Sequence, residues 1–277
     1  MFYVILSLLR IKTYKDRLMK RIIVFLFIYL GLLQANTITV TMEENCPYAC
    51  TEDANKKGFL VDIVTAAFKK AGYKVEFTSS SSQKQAIKDV RDQKFDAVLG
   101  TNPKEAPGLI YPKSVLSYAY DVIIVPTYSK WKRTSADSLN TLILGGQDEY
   151  AYNKELSHHF SKYYNDPKKV KLNAGVYAVK NGLIDLRFDK ITALAINQVA
   201  LHYFYFKRKK PFPFKVAHTY QREPLYIGFT PQTYKSKKYA KILHIELKKL
   251  RGSKEMRRIL RKYGLKKAYI RPVKKKF

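Results

Sequence analysis

The order of the predicted strands and helices constrains the fold of this chain more than any other feature of its sequence. Between residues 37 and 101, short β-type runs alternate with stretches whose apolar residues recur at helical spacing, in the order strand, helix, strand, helix, strand. A second series with a similar order lies between residues 142 and 196. Because strands that are joined through helices pair in parallel, the sequence predicts two α/β units, each with a largely parallel sheet flanked by helices.

The first unit contains three predicted strands and two predicted helices. The strands cover Thr37 to Met42, Lys74 to Thr78 and Phe95 to Leu99. The helix between the first two strands ends at Gly72, and a second helix runs from Gln83 to Gln93 after a run of serines that can cap it.

The second unit follows a β-branched strand from Asp121 to Val125 and begins with a strand from Leu142 to Leu144. A polar turn then leads to a helix from Asn153 to Tyr164. The stretch from Phe204 to Phe214 is basic and aromatic, and it is assigned no element. The remaining predicted elements are the strands Val170 to Leu172, Ile191 to Ile196 and Leu225 to Phe229, a helix near Val176 to Leu183, and the serine-capped helices Ser236 to Leu250 and Ser253 to Tyr263.

The segment before the first unit has the features of an export signal. Lys20 and Arg21 precede an uncharged run from Ile22 to Leu33, and a signal-peptidase type of site ends at Ala35. The run has about 12 residues, fewer than the roughly 20 that span a bilayer as a helix. We predict cleavage after Ala35 and localisation in the periplasm, with an uncleaved anchor as the alternative. Translation is expected to begin at Met19, because an export signal does not need the residues before it.

The chain is strongly basic, with a formal net charge of +30. Residues 1–35 contain six basic residues and one acidic residue, so their removal leaves +25. This charge favours polyanions, anionic lipid surfaces or an acidic ligand, and a solvated lysine-rich surface is the alternative. No DNA-binding or RNA-binding motif accompanies the lysines, so no nucleic-acid partner is expected.

The two cysteines, Cys46 and Cys50, lie in the short segment C-P-Y-A-C. In an exported protein such a pair favours a disulfide over a metal site, since no histidine lies close enough in the sequence to complete a zinc sphere. A redox role is the alternative, although the spacing is not the C-x2-C of thioredoxin-like centres. We predict a disulfide that fixes the shape of this loop.

Several segments form a recognisable series when their order and spacing are taken together. They are G-F-L-V-D-I-V at Gly58 to Val64, A-G-Y-K-V-E-F at Ala71 to Phe77, A-I-K-D-V-R-D-Q-K-F-D-A-V-L-G at Ala86 to Gly100, P-L-Y-I-G-F at Pro224 to Phe229, and the closing helix pair. The series resembles family 3 of the bacterial extracellular, periplasmic solute-binding proteins, the type that serves amino-acid transporters. A subgroup without an assigned ligand is more similar still, through C-P-Y-x-C, A-P-G-L-I-Y-P and the segment that begins at Trp131.

The resemblance implies a two-lobed α/β fold of the periplasmic-binding-protein type II, with two hinge crossovers. Residues 36–120 and 225–277 would form the first lobe, and residues 124–217 the second. Such proteins close on a small ligand and deliver it to an inner-membrane ABC-type permease. The alternatives are a ligand-sensing subunit for a membrane receptor and, less favoured, a dehydratase-like enzyme. The chain is expected to be a monomer without a cofactor or a metal, and not an enzyme.

The resemblance also indicates which loops would bind the ligand. In the family, an aromatic ring after the first strand stacks on the ligand, and Tyr48 holds that position. The segment that begins at Gly100 would meet the ligand through backbone and hydroxyl groups. The start of a second-lobe helix near Gln147 would offer backbone amides to an anionic group. The predicted ligand-binding residues are Tyr48, Gly100, Thr101, Asn102, Lys104, Gln147, Asp148, Tyr150 and Asn197.

The chain departs from the amino-acid binders of this family at two charged positions. They carry an arginine that forks onto the α-carboxylate, where this chain has Lys104 or nothing equivalent, and lysine cannot form the bidentate pair. They also carry an aspartate that pairs with the α-ammonium group, where this chain has the neutral Asn197. We therefore expect a neutral or anionic small molecule, a class that includes amino-acid-like compounds.

Overall fold

In the computed structural model of the chain, the described residues are 36–50, 56–148, 150–175, 177–231 and 233–270. The predicted signal segment and its cleavage site lie outside them. The strands are β1 Asn36–Glu43, β2 Tyr73–Ser80, β3 Ala97–Thr101, β4 Ser117–Ala119, β5 Asp121–Pro126, β6 Leu144–Gln147, β7 Val170–Asn173, β8 Ala193–Asn197, β9 Phe214–Thr219 and β10 Glu223–Phe229. The helices are α1 Phe59–Lys70, α2 Gln83–Arg91, α3 Lys154–Lys162, α4 Ala178–Arg187, α5 Gln198–Arg208, α6 Tyr234–Arg251 and α7 Lys254–Lys262, with 3-10 turns at Ala136–Thr141 and Lys267–Ile270.

The strands form two five-stranded sheets that share one plan. Their orders are β2-β1-β3-β10-β4 and β7-β6-β8-β5-β9. In each sheet the first three strands are parallel, and the fourth is antiparallel to both of its neighbours. The predicted α/β class is confirmed, and each sheet is mixed because one strand, β10 or β5, runs against the other four. The reason is that β5 and β10 arrive directly from the other sheet, without the helical connection that a parallel neighbour requires.

The chain passes between the two sheets at two short connections. Tyr120 alone separates β4 of the first sheet from β5 of the second. Residues 220–222 separate β9 of the second sheet from β10 of the first. Two such short connections side by side suit a hinge, because few backbone torsions have to change when the lobes rotate. The residue limits of the lobes given above remain a prediction.

Helix α1 shows how the sequence fixes the core of the first lobe. Asp62 in its first turn and Lys69 and Lys70 in its last turn have the charges that suit the helix dipole. Phe68 is fully buried, and its ring lies 6.4 Å from that of Phe229 and 6.2 Å from that of Tyr239. Burial of each such side chain contributes about 1.5–3 kcal/mol, so this apolar face anchors the helix on the sheet.

The basic and aromatic stretch contains two elements that the sequence does not predict, the end of α5 and the beginning of β9. Helix α5 has apolar or aromatic residues all around its surface, so its helical periodicity is weak. One side faces the second sheet, while Val199 and Tyr203 belong to the core of the first lobe. Among the described residues, no helix combines the length and the hydropathy that a membrane span requires.

Helix α5 also contacts the C-terminal part of the first lobe. The ring of Tyr203 lies 6.1 Å from that of Tyr263, and His202 Nε2 lies 2.8 Å from the carbonyl oxygen of Gly264. A Cβ atom at Gly264 would come within 2.3 Å of the ring of Phe206. The two lobes are therefore packed against each other along α5 in this structure.

Candidate ligand-binding site

The predicted ligand loops follow the carboxyl ends of β1 and β3 in the first lobe and of β6 and β8 in the second. In α/β sheets, ligands bind at this end of the strands. The loops of the first lobe carry Tyr48 and Thr101, and those of the second carry Gln147 and Tyr150. The structure brings part of this set together and leaves the rest apart.

The loop after β1 is held in shape by its own bonds. Cys46 and Cys50 form the predicted disulfide. The backbone N–H of Tyr48 donates to the carbonyl oxygen of Asn45 at 2.8 Å. The ring of Tyr48 is only 4% exposed and lies 5.1 Å from that of Phe59. Tyr48 is therefore a fixed, buried side chain whose hydroxyl group points away from its own lobe.

Three predicted site residues meet where the lobes touch. The hydroxyl of Tyr48 donates to Asn197 Oδ1 at 3.1 Å, and Asn197 Nδ2 donates to the hydroxyl of Tyr150 at 3.1 Å. Asn197 Oδ1 also accepts from the N–H groups of Val199 and Ala200, so it caps α5. Since this oxygen already accepts three hydrogen bonds, Asn197 connects the lobes and caps a helix, and has little capacity left for a ligand ammonium group.

Sequence reasoning missed the carboxyl group of Asp121, which lies beside this contact. Asp121 is 6% exposed and accepts from the hydroxyl of Tyr150 and from the backbone and side-chain nitrogens of Asn153, each at 3.4 Å. Burial raises the pKa of Asp121 to about 6, although these hydrogen bonds oppose the shift. The sequence did contain a signal for this carboxyl group, because Asp121 is an acidic residue at the start of a run of buried, β-branched residues.

Asp121 gives a pH-dependent prediction. Its pKa is raised in the folded protein, so between about pH 4 and pH 6 the folded state binds more protons than the unfolded state, and this group lowers stability as the pH rises. We expect Asp121→Asn to increase the free energy of unfolding by about 1–2 kcal/mol near neutral pH and not at all near pH 4. Urea unfolding of the wild type and of Asp121→Asn, from about pH 4 to neutral pH, measures this difference in the free energy of unfolding. A gain that is independent of pH would contradict the assignment.

The second-lobe helix begins where the sequence pattern predicts it, next to Asn153, and not near Gln147, where the family resemblance places its start. Helix α3 starts at Lys154, and its first amides are already satisfied by Asn153, whose Oδ1 accepts from the N–H groups of Glu155 and Leu156. The N–H of Gln147 instead donates to the hydroxyl of Tyr152 at 2.7 Å. The expectation of free helix amides near Gln147 is therefore wrong, because the chain caps this helix with its own side chain.

Gln147 and Asp148 lie at the end of the second sheet. Gln147 is the last residue of β6, and the N–H of Asp148 donates to the carbonyl oxygen of Asn173 at 2.9 Å. The hydroxyl of Tyr164 donates to Asp148 Oδ2 at 3.4 Å. Their role in binding a ligand remains a prediction.

The loop after β3 is also tied to itself. Gly100 has a φ of +81°. Asn102 Oδ1 accepts from the N–H groups of Lys104 and Glu105 at 3.0 and 3.2 Å. The hydroxyl of the fully buried Thr101 donates to Glu105 Oε2 at 3.0 Å. Glu105, whose carboxylate accepts the hydrogen bond from Thr101, is therefore the residue that follows Lys104 in this loop.

Glu105 in this loop has other acidic side chains near it, although the loop also carries Lys104. Partial burial raises the pKa of Glu105, the hydrogen bond from Thr101 lowers it, and the negative charges of Glu43 and Glu223 raise it again. Glu223 also raises the pKa of Asp121. These four acids are far apart in the sequence, so no local motif could predict the cluster. Their negative charges disfavour a further anionic group close to Glu105.

Comparisons with known proteins agree with this architecture. Residues 38–266 match the bacterial extracellular solute-binding proteins, family 3. No curated protein matches the chain. A solved structure of an ArgBP mutant from T. maritima is similar with 14% identity and a TM-score of 0.58, over 82% of this chain and 95% of that one. The GluR0 ligand-binding core from Nostoc punctiforme, in complex with (L)-glutamate, has 12% identity and a TM-score of 0.59, over 82% and 99%.

A third similar structure is the substrate-binding domain 2 of GlnP from Lactococcus lactis, in its open conformation. It has 17% identity and a TM-score of 0.56, over 83% of this chain and 96% of that one. At such identities the likeness shows the two-lobed fold alone. The family match covers most of the chain, and the chain therefore belongs to the bacterial extracellular solute-binding proteins of family 3.

Proposed function

We propose that this protein is exported to the periplasm, closes its two lobes on a small polar ligand and delivers the ligand to an inner-membrane ABC-type permease. Family membership supports a ligand-binding role. The paired short connections at Tyr120 and at residues 220–222 supply a hinge. The Tyr48–Asn197 hydrogen bond shows that side chains of both lobes meet beyond the carboxyl ends of the strands. A ligand held there would contact both lobes, and its binding energy would favour closure.

We further propose that the ligand is neutral or carries a positive charge. The observation that carries this choice is the placement of two carboxyl groups at the strand ends, Glu105 held by the hydroxyl of Thr101 and the buried Asp121, with Glu223 near enough to raise the pKa of both. The amides of α3 that would attract an anion are satisfied within the protein. The sequence analysis predicted a neutral or anionic ligand, and these contacts disfavour the anionic one. A cationic group near Glu105 would lower the pKa of that carboxyl group and gain Coulomb energy.

Glu105 provides the test of ligand charge. Arginine, glutamine and glutamate are bound in solved structures of the same fold, and they provide probes of three different charges. We expect calorimetric titration to give the order arginine, glutamine, glutamate in decreasing affinity. Glu105→Gln should weaken binding of the cationic probe about tenfold, because it removes a charge-assisted contact of roughly 1.5 kcal/mol.

The matched control for this test is Glu76→Gln. Glu76 lies on β2 and forms a surface ion pair with Lys74 at 2.6 Å. This variant removes the same charge from the same lobe, so any general effect of net charge appears in both proteins. Tighter binding of glutamate than of arginine, or equal losses in the two variants, would contradict the proposed ligand charge.

A further inference from the structure

The stretch from Phe204 to Phe214, with the sequence F-Y-F-K-R-K-K-P-F-P-F, is not used by the proposed ligand site. It forms the end of α5 and the connection to β9. Within the second sheet, Asp121 of β5 pairs with Asn197, whereas Pro126 at the other end of β5 pairs with Phe214. The stretch therefore reaches the end of the second sheet's strands that lies opposite the ligand loops of that sheet.

One side of this stretch borders a cavity of about 560 Å³ between α4, α5 and the end of β5. Its floor is apolar and includes Leu183, Leu186 and Phe214. Four cationic side chains line it as well: Lys180, Arg187, Arg208 and Lys210. Asp189 is the acidic residue in this lining, and its Oδ1 accepts a hydrogen bond from the hydroxyl of Tyr128 at 2.6 Å.

The other side of the stretch borders a second cavity, of about 570 Å³. Its lining shares Tyr205 and Lys210 with the first cavity, so the two cavities are neighbours on either side of the stretch. It adds three lysines and two phenylalanines: Lys56, Lys207, Lys209, Phe206 and Phe212. We call the lining of these two cavities the basic aromatic face.

Aromatic side chains protrude from or beside this face. Tyr128 is 73% exposed, Phe188 is 67% exposed, and Phe212 is 38% exposed. Arg208 is stacked over the ring of Phe204 at 3.6 Å, which holds its guanidinium group at the cavity. Exposed apolar rings that lie together often mark an interaction surface, and here the rings lie beside the cationic side chains of the face.

We propose that the basic aromatic face docks on the surface of a membrane that contains anionic phospholipid. Cations spread over two neighbouring cavities suit an extended layer of phosphate groups better than a single small anion, which would need them to converge. Aromatic rings and the long stems of lysine and arginine occupy the boundary between headgroups and acyl chains favourably. Charge complementarity with an anionic surface supplies the attraction. Docking through this end of the second sheet leaves the ligand loops of that sheet, at its opposite end, away from the lipid.

The test is co-sedimentation of the protein with lipid vesicles at low ionic strength. One set of vesicles contains phosphatidylcholine alone, and the other contains about one third phosphatidylglycerol, since anionic lipid provides the potential. The face variant combines Lys180→Gln, Lys207→Gln, Lys209→Asn and Lys210→Gln. Asparagine is chosen at position 209 because its φ of +51° is left-handed. The wild type should bind the anionic vesicles only, and the face variant at least about tenfold more weakly.

The control variant removes the same number of charges from exposed lysines on α6 and α7 of the first lobe: Lys235→Gln, Lys237→Gln, Lys241→Gln and Lys254→Gln. It should bind within about twofold of the wild type. Phe188→Ser, which removes an exposed ring without changing charge, should weaken the binding that persists when added salt screens the lysines. Failure of the wild type to bind anionic vesicles would overturn the proposal. Equal weakening in the face and control variants would overturn it too, because net charge alone would then explain the binding.

Discussion

Replacing Gly58 with alanine is expected to destabilise the protein by about 3–5 kcal/mol. Gly58 has a φ of +107°, a conformation that is accessible to glycine and strained for other residues. A Cβ atom there would lie 2.3 Å from the carbonyl oxygen of Tyr48 and 2.5 Å from the Cα of Ala49. Both atoms belong to the backbone of the disulfide loop, so the clash cannot be relieved by a rotamer change.

Denaturant unfolding of Gly58→Ala and of a control, Gly72→Ala, measures this effect. Gly72 also has a positive φ, of +79°, but an added Cβ atom would meet nothing within 4 Å. The control should therefore lose only about 1–2 kcal/mol, the cost of the left-handed conformation. Similar losses in the two variants would show that the close approach of the loop after β1 to the start of α1 contributes nothing.

The second large effect is expected for Asn197→Ala, with a loss of about 3 kcal/mol in the free energy of unfolding. The substitution removes the cap of α5 and, in addition, the acceptor of the buried Tyr48 hydroxyl and one of the two partners of the Tyr150 hydroxyl. Ser82→Ala is the control, because Ser82 caps α2 through a single acceptor contact with the N–H of Gln85. That control should lose about 1 kcal/mol.

A double-mutant cycle separates the cap of α5 from the contact between the lobes. Tyr48→Phe removes only the hydroxyl group that donates to Asn197. If this hydrogen bond stabilises the lobe contact, the two substitutions together should cost less than the sum of their separate effects, by about 1 kcal/mol. Strict additivity would mean that the Tyr48–Asn197 contact does not couple the lobes.

The elements that the sequence predicted well are those with a strong period or a clear cap. Helix α2 begins after Ser82 and α7 begins after Ser253, both as capped helices. Helix α5 was missed because it packs on both lobes and has no polar face. The predicted strand at Leu142 begins instead at Leu144, since Leu142 is the C-cap of the 3-10 turn Ala136–Thr141.

The candidate site was only partly predictable for a related reason. Tyr48, Tyr150 and Asn197 could be predicted to lie near one another because each lies at or after the carboxyl end of a strand. The acidic group formed by Glu43, Glu105, Asp121 and Glu223 depends on tertiary proximity between residues that are far apart in the chain. The sequence could locate the loops, but their charge balance requires the fold.

The most direct test of the central claim is a thermal-unfolding screen of the chain from Asn36 to Phe277 against small molecules grouped by charge. A ligand that binds the folded protein raises the melting temperature by mass action, equivalent to about 2.7 kcal/mol at a hundred times its Kd. We predict a saturable rise with neutral or positively charged polar compounds. A rise with anionic compounds alone, or no rise with any class in a folded protein, would contradict the proposal that the lobes close on such a ligand.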